Sequence, residues 1–187
     1  MTQTPPNLFE IDTLHTTGKT EAQIVDELRA MLAAGAEVNA GGRGGETALH
    51  KVCRRGFLEA AKLLVDAGAD IECKGINNRT PFLEAAASLN VDLMEYLLGK
   101  GADPCALDTN GADAFHQYLR CNEYAPTKAP GFAEADVRGM KLLTEKLGRA
   151  PNYLEQCQMY GFRKHLASFS PEVALAVAFD LVAAKRT

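Results

Sequence analysis

The chemistry available to this chain of 187 residues rests mainly on its four histidines and five cysteines. A cysteine nucleophile needs a nearby base and a site that stabilises the oxyanion. Cys157 and His165 are a candidate pair, but Cys157 falls on a helical core position when the repeats described below are aligned. No group of His, Cys, Asp and Glu has the spacing of a metal site. We therefore expect no catalytic residue, no metal and no cofactor.

Two glycine-containing stretches invite comparison with phosphate-binding loops. Gly41–Gly45 reads GGRGG, and Gly18-Lys19-Thr20 matches the last three letters of the P-loop motif. Both stretches lack the other residues of that motif and the strand that precedes it. A flexible turn explains the first stretch better, so neither predicts a nucleotide site.

Charge and composition narrow the class of protein. The formal charge of −4 provides no general field for polyanions, so we expect no nucleic-acid partner. No apolar run approaches the ~18 residues of a membrane span, and the first residues lack a signal-peptide pattern. An odd number of cysteines without C-x-x-C spacing fits reduced thiols. These features predict a cytoplasmic protein, while a removed leader would place it in the periplasm or outside the cell.

A shift of 33 residues aligns the chain with itself. Thr47–His50 falls on Thr80–Leu83 and then on Asp113–His116, and Gly68–Asp70 falls on Gly101–Asp103. Apolar residues agree in the same register: Val25, Leu58 and Val91; Leu28, Ala61 and Met94; Met31, Leu64 and Leu97; Leu32, Val65 and Leu98. Agreement in both the turn residues and the apolar pattern indicates an internal repeat.

Each repeat unit predicts two short helices and an extended turn. The second helix has its apolar residues at i, i+3, i+6 and i+7, which places them on one face. It is expected to end at Gly35, Gly68 or Gly101, because glycine tolerates a left-handed cap. The links between units contain Gly, Asn, Asp and Pro, which suit exposed hairpins. One helix pair is too small to bury its apolar face, so neighbouring units must stack.

The repeat resembles the ankyrin repeat, whose T-P-L-H and G-A-D-I-E signatures correspond here to Thr47–His50, Thr80–Leu83 and Gly68–Glu72. The resemblance is strong over about residues 21–122. It implies an all-α solenoid of about four to five stacked helix-turn-helix units with projecting hairpin loops. It also implies that the histidines of the signature, His50 and His116, tie the hairpin to the helix by hydrogen bonds.

We interpret residues 1–187 as a single domain. Its expected units are an N-terminal capping repeat over 1–40, repeats over 41–73, 74–106 and 107–150, and a C-terminal capping helix pair over 151–187. In the first unit, Leu8–Leu14 is expected to form the inner helix, and Thr20–Gln23 has the pattern of a capping box for the second helix.

The repeat over 107–150 is longer than the others. The register places its closing glycine at position 134, whereas the nearest candidate is Gly148, so about 14 residues have been inserted. The insertion is expected as a loop over about 122–137, between the two helices, with a short helix at Phe132–Asp136. It is either a tolerated surface loop or, together with the C-terminal helices, the site of a ligand-binding protein or enzyme.

The resemblance further implies a concave face whose residues are not fixed by the fold and are free to contact a partner. Part of this face is basic, which fits either a solvated helix surface or a docking site for an acidic protein surface. The expected partner-binding residues are Arg43, Glu46, Lys51, Arg54, Arg55, Ile76, Arg79, Glu84, Ser88, Thr109, Gln117 and Arg120, together with Tyr124 and Phe132 of the insertion.

The sequence thus predicts a non-enzymatic protein-binding module. The simplest mechanism is stoichiometric, in which an inhibitor, immunity or adaptor protein, expected to be bacterial, blocks or holds another protein. The alternatives are the ligand-binding protein or enzyme described above and a secreted effector that acts on host proteins. The sequence does not indicate an oligomeric state.

Overall fold

The computed structural model describes residues 6–11, 18–118 and 132–147. Within these ranges the chain is helical and has no strand, which confirms the all-α fold. The helices are α1 (Glu21–Ala33), α2 (Ala48–Arg55), α3 (Leu58–Asp66), α4 (Pro81–Ala87), α5 (Val91–Gly99), α6 (described over 114–118) and α7 (Phe132–Leu147).

The helices begin and end where local side-chain chemistry favours it. Thr80 caps α4 by accepting a hydrogen bond from the Leu83 amide at 3.4 Å, and Pro81 occupies the first helical position. Gly68 follows α3 with a φ of +91°, and its amide donates to the Val65 carbonyl at 3.0 Å. This left-handed glycine closes the helix as the sequence pattern predicted.

The apolar columns of the repeat form the core. Leu28, Ala61 and Met94 occupy the same repeat position in successive units, and each is 0% exposed. Inner helices α2 and α4 contact each other, as do outer helices α1 and α3. The core is therefore continuous from unit to unit, as expected of stacked repeats.

The N-terminal segment departs from the predicted inner helix. Within the described residues 6–11, only Leu8–Glu10 is helical, as a single 3-10 turn, although Leu8 and Ile11 are buried in the core. The capping box of α1 is present. The Thr20 amide donates to Gln23 Oε1 at 2.8 Å, and the Gln23 amide donates to Thr20 Oγ1 at 3.4 Å.

Helix α7 extends the short helix predicted at Phe132–Asp136. Residues 132–136 are helical as expected, but they form the start of one helix of 16 residues that continues to Leu147, whereas α3 and α5 each have nine residues. Arg138 joins α7 to α5 by ion pairs with Asp92 and Glu95. The rest of the predicted loop and the C-terminal helix pair expected over 151–187 lie outside the described residues.

Candidate binding surface

Hairpin loops join successive units at residues 41–46, 74–79 and 107–112, here called the first, second and third fingers. Each finger is closed by an equivalent backbone hydrogen bond, from Gly42 to Glu46 at 2.7 Å, from Gly75 to Arg79 at 2.9 Å and from Asp108 to Ala112 at 3.0 Å. The predicted hairpin loops are thus present, and one geometry recurs at each described junction.

Neighbouring fingers are fixed to one another. The Thr109 amide donates to the Asn77 carbonyl at 2.9 Å, and the Asn78 side-chain amide donates to the Leu107 carbonyl at 3.2 Å. The first finger packs on the second so closely that a Cβ at Gly44 would lie 3.1 Å from Ile76 Cγ1. The fingers therefore form one preorganised surface.

His50 links the first full unit to the next one. The Thr47 amide lies 3.1 Å from His50 Nδ1 and donates to it, which leaves Nε2 as the protonated nitrogen that donates to the Arg79 carbonyl at 2.9 Å. Gly75 leaves room for this contact, since a Cβ there would lie 2.9 Å from Nε2. His50 is a structural residue, as the resemblance implied.

Burial of the His50 imidazole lowers its pKa, an effect that the Arg79 carbonyl and the charges of Glu84 and Glu46 partly oppose. The unfolded chain therefore binds more protons than the folded chain between this lowered pKa and the ordinary value of 6.5. The contribution of His50 to stability is complete above that range and falls as the pH decreases through it.

The finger surface is defined here as Arg43, Lys74, Ile76, Leu107 and Thr109. All five side chains are exposed. Ile76 and Leu107 are 44% and 46% exposed, and they are the large apolar residues that remain exposed in the described part of the chain. Arg43, Ile76 and Thr109 were predicted from the sequence, whereas Lys74 and Leu107 were not. Lys74 and Leu107 occupy the same repeat position. The apolar Leu107 in an otherwise polar turn was the feature of the sequence that could have indicated this position.

Glu46, Arg54 and Glu84 begin a network of charges across the units. Arg54 donates from Nε and Nη2 to the two carboxylate oxygens of Glu84 at 3.1 and 3.0 Å, and from Nη2 to Glu46. The side chains of Glu46 and Glu84 are only 8% and 2% exposed, whereas that of Arg54 is 42% exposed. These contacts raise the pKa of Arg54 above its ordinary value, chiefly through the hydrogen bonds to Glu84.

The network continues from Glu84 into the third finger. Arg79 Nη1 lies 3.2 Å from both oxygens of Glu84, and Arg79 Nη2 donates to Gln117 Oε1. Gln117 Nε2 donates in turn to Asp108 Oδ2 at 2.8 Å. We call the residues Glu46, Arg54, Glu84, Arg79, Gln117 and Asp108 the charge ladder.

The charge ladder corrects part of the predicted surface. Glu46, Glu84 and Gln117 were expected to be surface residues, but they are 6%, 1% and 2% exposed. They are buried because side chains of adjacent units cover them and supply the hydrogen bonds that a buried polar group requires. Arg54 and Arg79, expected to make the face basic, are already paired with carboxylates.

Other predicted contact residues also bind within the chain. Lys51 Nζ donates to the Phe9 carbonyl and lies 3.9 Å from the centre of the Phe9 ring. Arg55 lies over the Phe57 ring at 5.0 Å. Ser88 donates to the Ala85 carbonyl at 2.8 Å.

The three remaining candidates are Arg120, Tyr124 and Phe132. Arg120 and Tyr124 lie outside the described residues, as does most of the alternative site at the insertion and the C-terminal helices. Phe132 begins α7.

The cysteines of the described residues differ in exposure. Cys53 is buried in α2, Cys73 is half-buried, and Cys105 is exposed. Burial raises the pKa of Cys53 strongly and that of Cys73 to a lesser degree. The part of the chain that the structure describes contains no group of three His, Cys, Asp or Glu residues placed to hold a metal ion. No helix in these ranges is both long and apolar enough to cross a membrane.

Comparison with known proteins identifies the repeated unit. The family model of ankyrin repeats, comprising three copies, matches residues 17–108. Residues 17–108 are ankyrin repeats. This family is a module of protein–protein interaction, and the ankyrin fold accounts for the stacked helix pairs and the fingers.

Curated relatives share this segment. The chain is 32% identical over 78 residues to the BCL-6 corepressor-like protein 1 of Homo sapiens, over 42% of this chain and 4% of that protein. It is 42% identical over 78 residues to the Neurogenic locus Notch protein of Drosophila melanogaster, over 41% and 3%. It is 36% identical over 73 residues to the B-cell lymphoma 3 protein homolog of Mus musculus, over 38% and 16%. The chain thus spans a small fraction of each relative.

Proposed function

We propose that the chain is a non-enzymatic, stoichiometric protein-binding module whose partner contacts the finger surface. The observation that carries the proposal is the exposure of Ile76 and Leu107 on neighbouring fingers that hydrogen bonds hold together. Exposed apolar groups on a rigid surface favour association, because their burial is favourable and little conformational entropy is lost.

The proposed partner is a protein with an acidic surface patch. Arg43 and Lys74 lie on the first two fingers and have no carboxylate partner among the described residues. They form a local cationic region on a chain whose formal charge is −4. Such a region accelerates encounter with an acidic surface and selects against a basic one.

Binding of this kind supports an inhibitor, immunity or adaptor role in the cytoplasm. A rigid surface that covers part of another protein can block its active site or hold it beside a third molecule without any chemical step. The ankyrin repeats support the binding of a partner, because this family is a module of protein–protein interaction.

The test is capture of a partner from native lysate with matched variants. Ile76→Asp/Leu107→Asp places two charges on the finger surface, whereas Ala22→Asp/Ala30→Asp places two charges on exposed positions of α1. We expect a stoichiometric partner to be lost with the first variant and retained with the second, with melting temperatures close to wild type. A partner that binds both variants equally would refute the finger surface.

A further inference from the structure

The arginines of the charge ladder, Arg54 and Arg79, differ in their electrostatic surroundings from Arg43 and Lys74 of the fingers. Arg54 and Arg79 contribute two positive charges, and Glu46 and Glu84 contribute two negative charges within the same hydrogen-bonded network. The sum is zero, and Asp108 at the end of the ladder adds a further carboxylate. The charge ladder therefore carries no excess positive charge, despite its two guanidinium groups.

Arg54 nevertheless retains hydrogen-bonding capacity at the surface. Its Nε and Nη2 groups are occupied by Glu84 and Glu46, while Nη1 has no hydrogen-bond partner among the described residues. The side chain is 42% exposed, whereas the two carboxylates that hold it are almost completely buried. The guanidinium is thus fixed in place with one donor group available, which reduces the entropy lost when an acceptor binds.

An incoming carboxylate gains little binding free energy at Arg54, since the buried carboxylates of Glu46 and Glu84 repel it and already neutralise the arginine. It must still lose its hydration, which is costly for a full charge. A neutral carbonyl accepts the same hydrogen bond with a smaller loss of hydration. The local charge therefore favours a neutral acceptor at this position.

Arg43 and Lys74 present the opposite situation. Both are exposed, and neither forms an ion pair within the described residues. A carboxylate that binds them meets positive charge that no acidic side chain of the fingers offsets, because Glu46 and Asp108 are buried in the charge ladder. The charged side chains of the finger surface are therefore both cationic and lie on the first two fingers.

We infer that the surface recognises an acidic and aliphatic protein segment in two separate ways. Arg43 and Lys74 bind the carboxylates of the segment, Ile76 and Leu107 contact its aliphatic side chains, and Arg54 Nη1 donates to a neutral carbonyl of the segment. The inference rests on the proposed function, since it assigns the chemistry of a partner at the same finger surface.

The experiment uses a displayed library of random peptides as the probe. Selection on the wild-type protein is expected to enrich peptides that combine Asp or Glu with Leu, Ile or Val. Enrichment of basic peptides, or no enrichment at all, would overturn the inference. Peptides from the selection are then measured by titration calorimetry against the variants at low and high salt.

Three variants separate the contributions. Arg43→Gln/Lys74→Gln should weaken binding by about tenfold at low salt and remove most of its salt dependence, because the screened charges are lost. Arg54→Lys keeps the charge but removes the guanidinium, and should weaken binding with its salt dependence unchanged. Ile76→Asp/Leu107→Asp should abolish binding.

The outcomes distinguish the two proposals. Peptide binding that survives Ile76→Asp/Leu107→Asp would refute the finger surface itself. Binding that requires those residues but ignores Arg43→Gln/Lys74→Gln would refute the charge assignment alone. If Arg54→Lys melts at a lower temperature, the ¹⁵N shift of Arg54 Nη1 in the wild type replaces it as the readout. An unchanged shift on peptide binding would refute the role of Arg54.

Discussion

Replacing Glu84 by glutamine tests whether the charge ladder stabilises the stack of repeats. The Glu84 carboxylate is 2% exposed and accepts hydrogen bonds from Nε and Nη2 of Arg54 and from Nη1 of Arg79. Glutamine preserves the shape of the side chain but removes its charge. It also turns an amide NH₂ toward guanidinium groups that only donate.

The expected loss follows from the exposure of the two arginines. Breaking a buried ion pair by removing one partner costs about 3–5 kcal/mol. Arg54 is 42% exposed and regains hydration, so its share is reduced. Arg79 is only 16% exposed and keeps a largely buried charge without its carboxylate. We expect the free energy of unfolding to fall by about 2–4 kcal/mol, a large part of the 5–15 kcal/mol typical of a domain.

Urea unfolding at neutral pH, followed by far-UV circular dichroism, measures this loss. Asp26→Asn is the matched control, because Asp26 pairs with Arg29 on the surface of α1, where the two side chains are 78% and 64% exposed. The control should change stability by no more than about 0.5 kcal/mol. A Glu84→Gln protein within about 1 kcal/mol of wild type would refute the stabilising role of the ladder.

Three further predictions concern the fold around the surface. The unfolding free energy of wild type should include a component that falls by up to about 1.4 kcal/mol per pH unit below about pH 6.5, and His50→Gln should lack this component in urea titrations at several pH values. Equal slopes of unfolding free energy against pH for the two proteins would contradict a buried neutral imidazole. Gly45→Ala should lower the melting temperature more than Gly41→Ala, because Gly45 has a φ of +78° and its added Cβ would lie 2.6 Å from a carbonyl oxygen of the second finger. The nearest atom to a Cβ at Gly41 is 3.8 Å away, so equal melting temperatures of the two variants would count against the close packing of the fingers. In the native protein, maleimide should label the exposed Cys105 rapidly and the buried Cys53 only after unfolding, as peptide mass spectrometry can measure, and similar rates would show that α2 opens readily.

The sequence was a reliable guide to the apolar and turn residues of the fold. Positions such as Leu28, Ala61 and Met94 recur every 33 residues, and the periodicity of helices translates directly into a buried face. The glycines that end the helices have an equally local cause, since their role depends on backbone conformation. For such residues, interactions with residues close in the sequence determine the local structure.

The polar residues of the concave face were less predictable. Glu84 and Arg54 are 30 residues apart, so the burial of Glu84 depends on a side chain of another unit. Polar residues vary between repeats, and no periodic pattern reports their pairing. Counting charges along the face therefore suggested a basic surface, whereas the three-dimensional arrangement pairs Arg54 and Arg79 with buried carboxylates.

The charge ladder also limits how the array can change its length. Joining residue 73 directly to residue 107 would delete one complete unit and leave the apolar register intact. The deletion would remove Glu84 and Arg79, so Arg54 would face Gln117, whose neutral amide cannot replace a bidentate carboxylate. Hydrophobic packing tolerates the loss or duplication of a unit, but these polar side chains give each unit a specific neighbour. The order and number of the units are therefore encoded in residues that vary between repeats, and shortened or extended arrays need compensating substitutions at these positions.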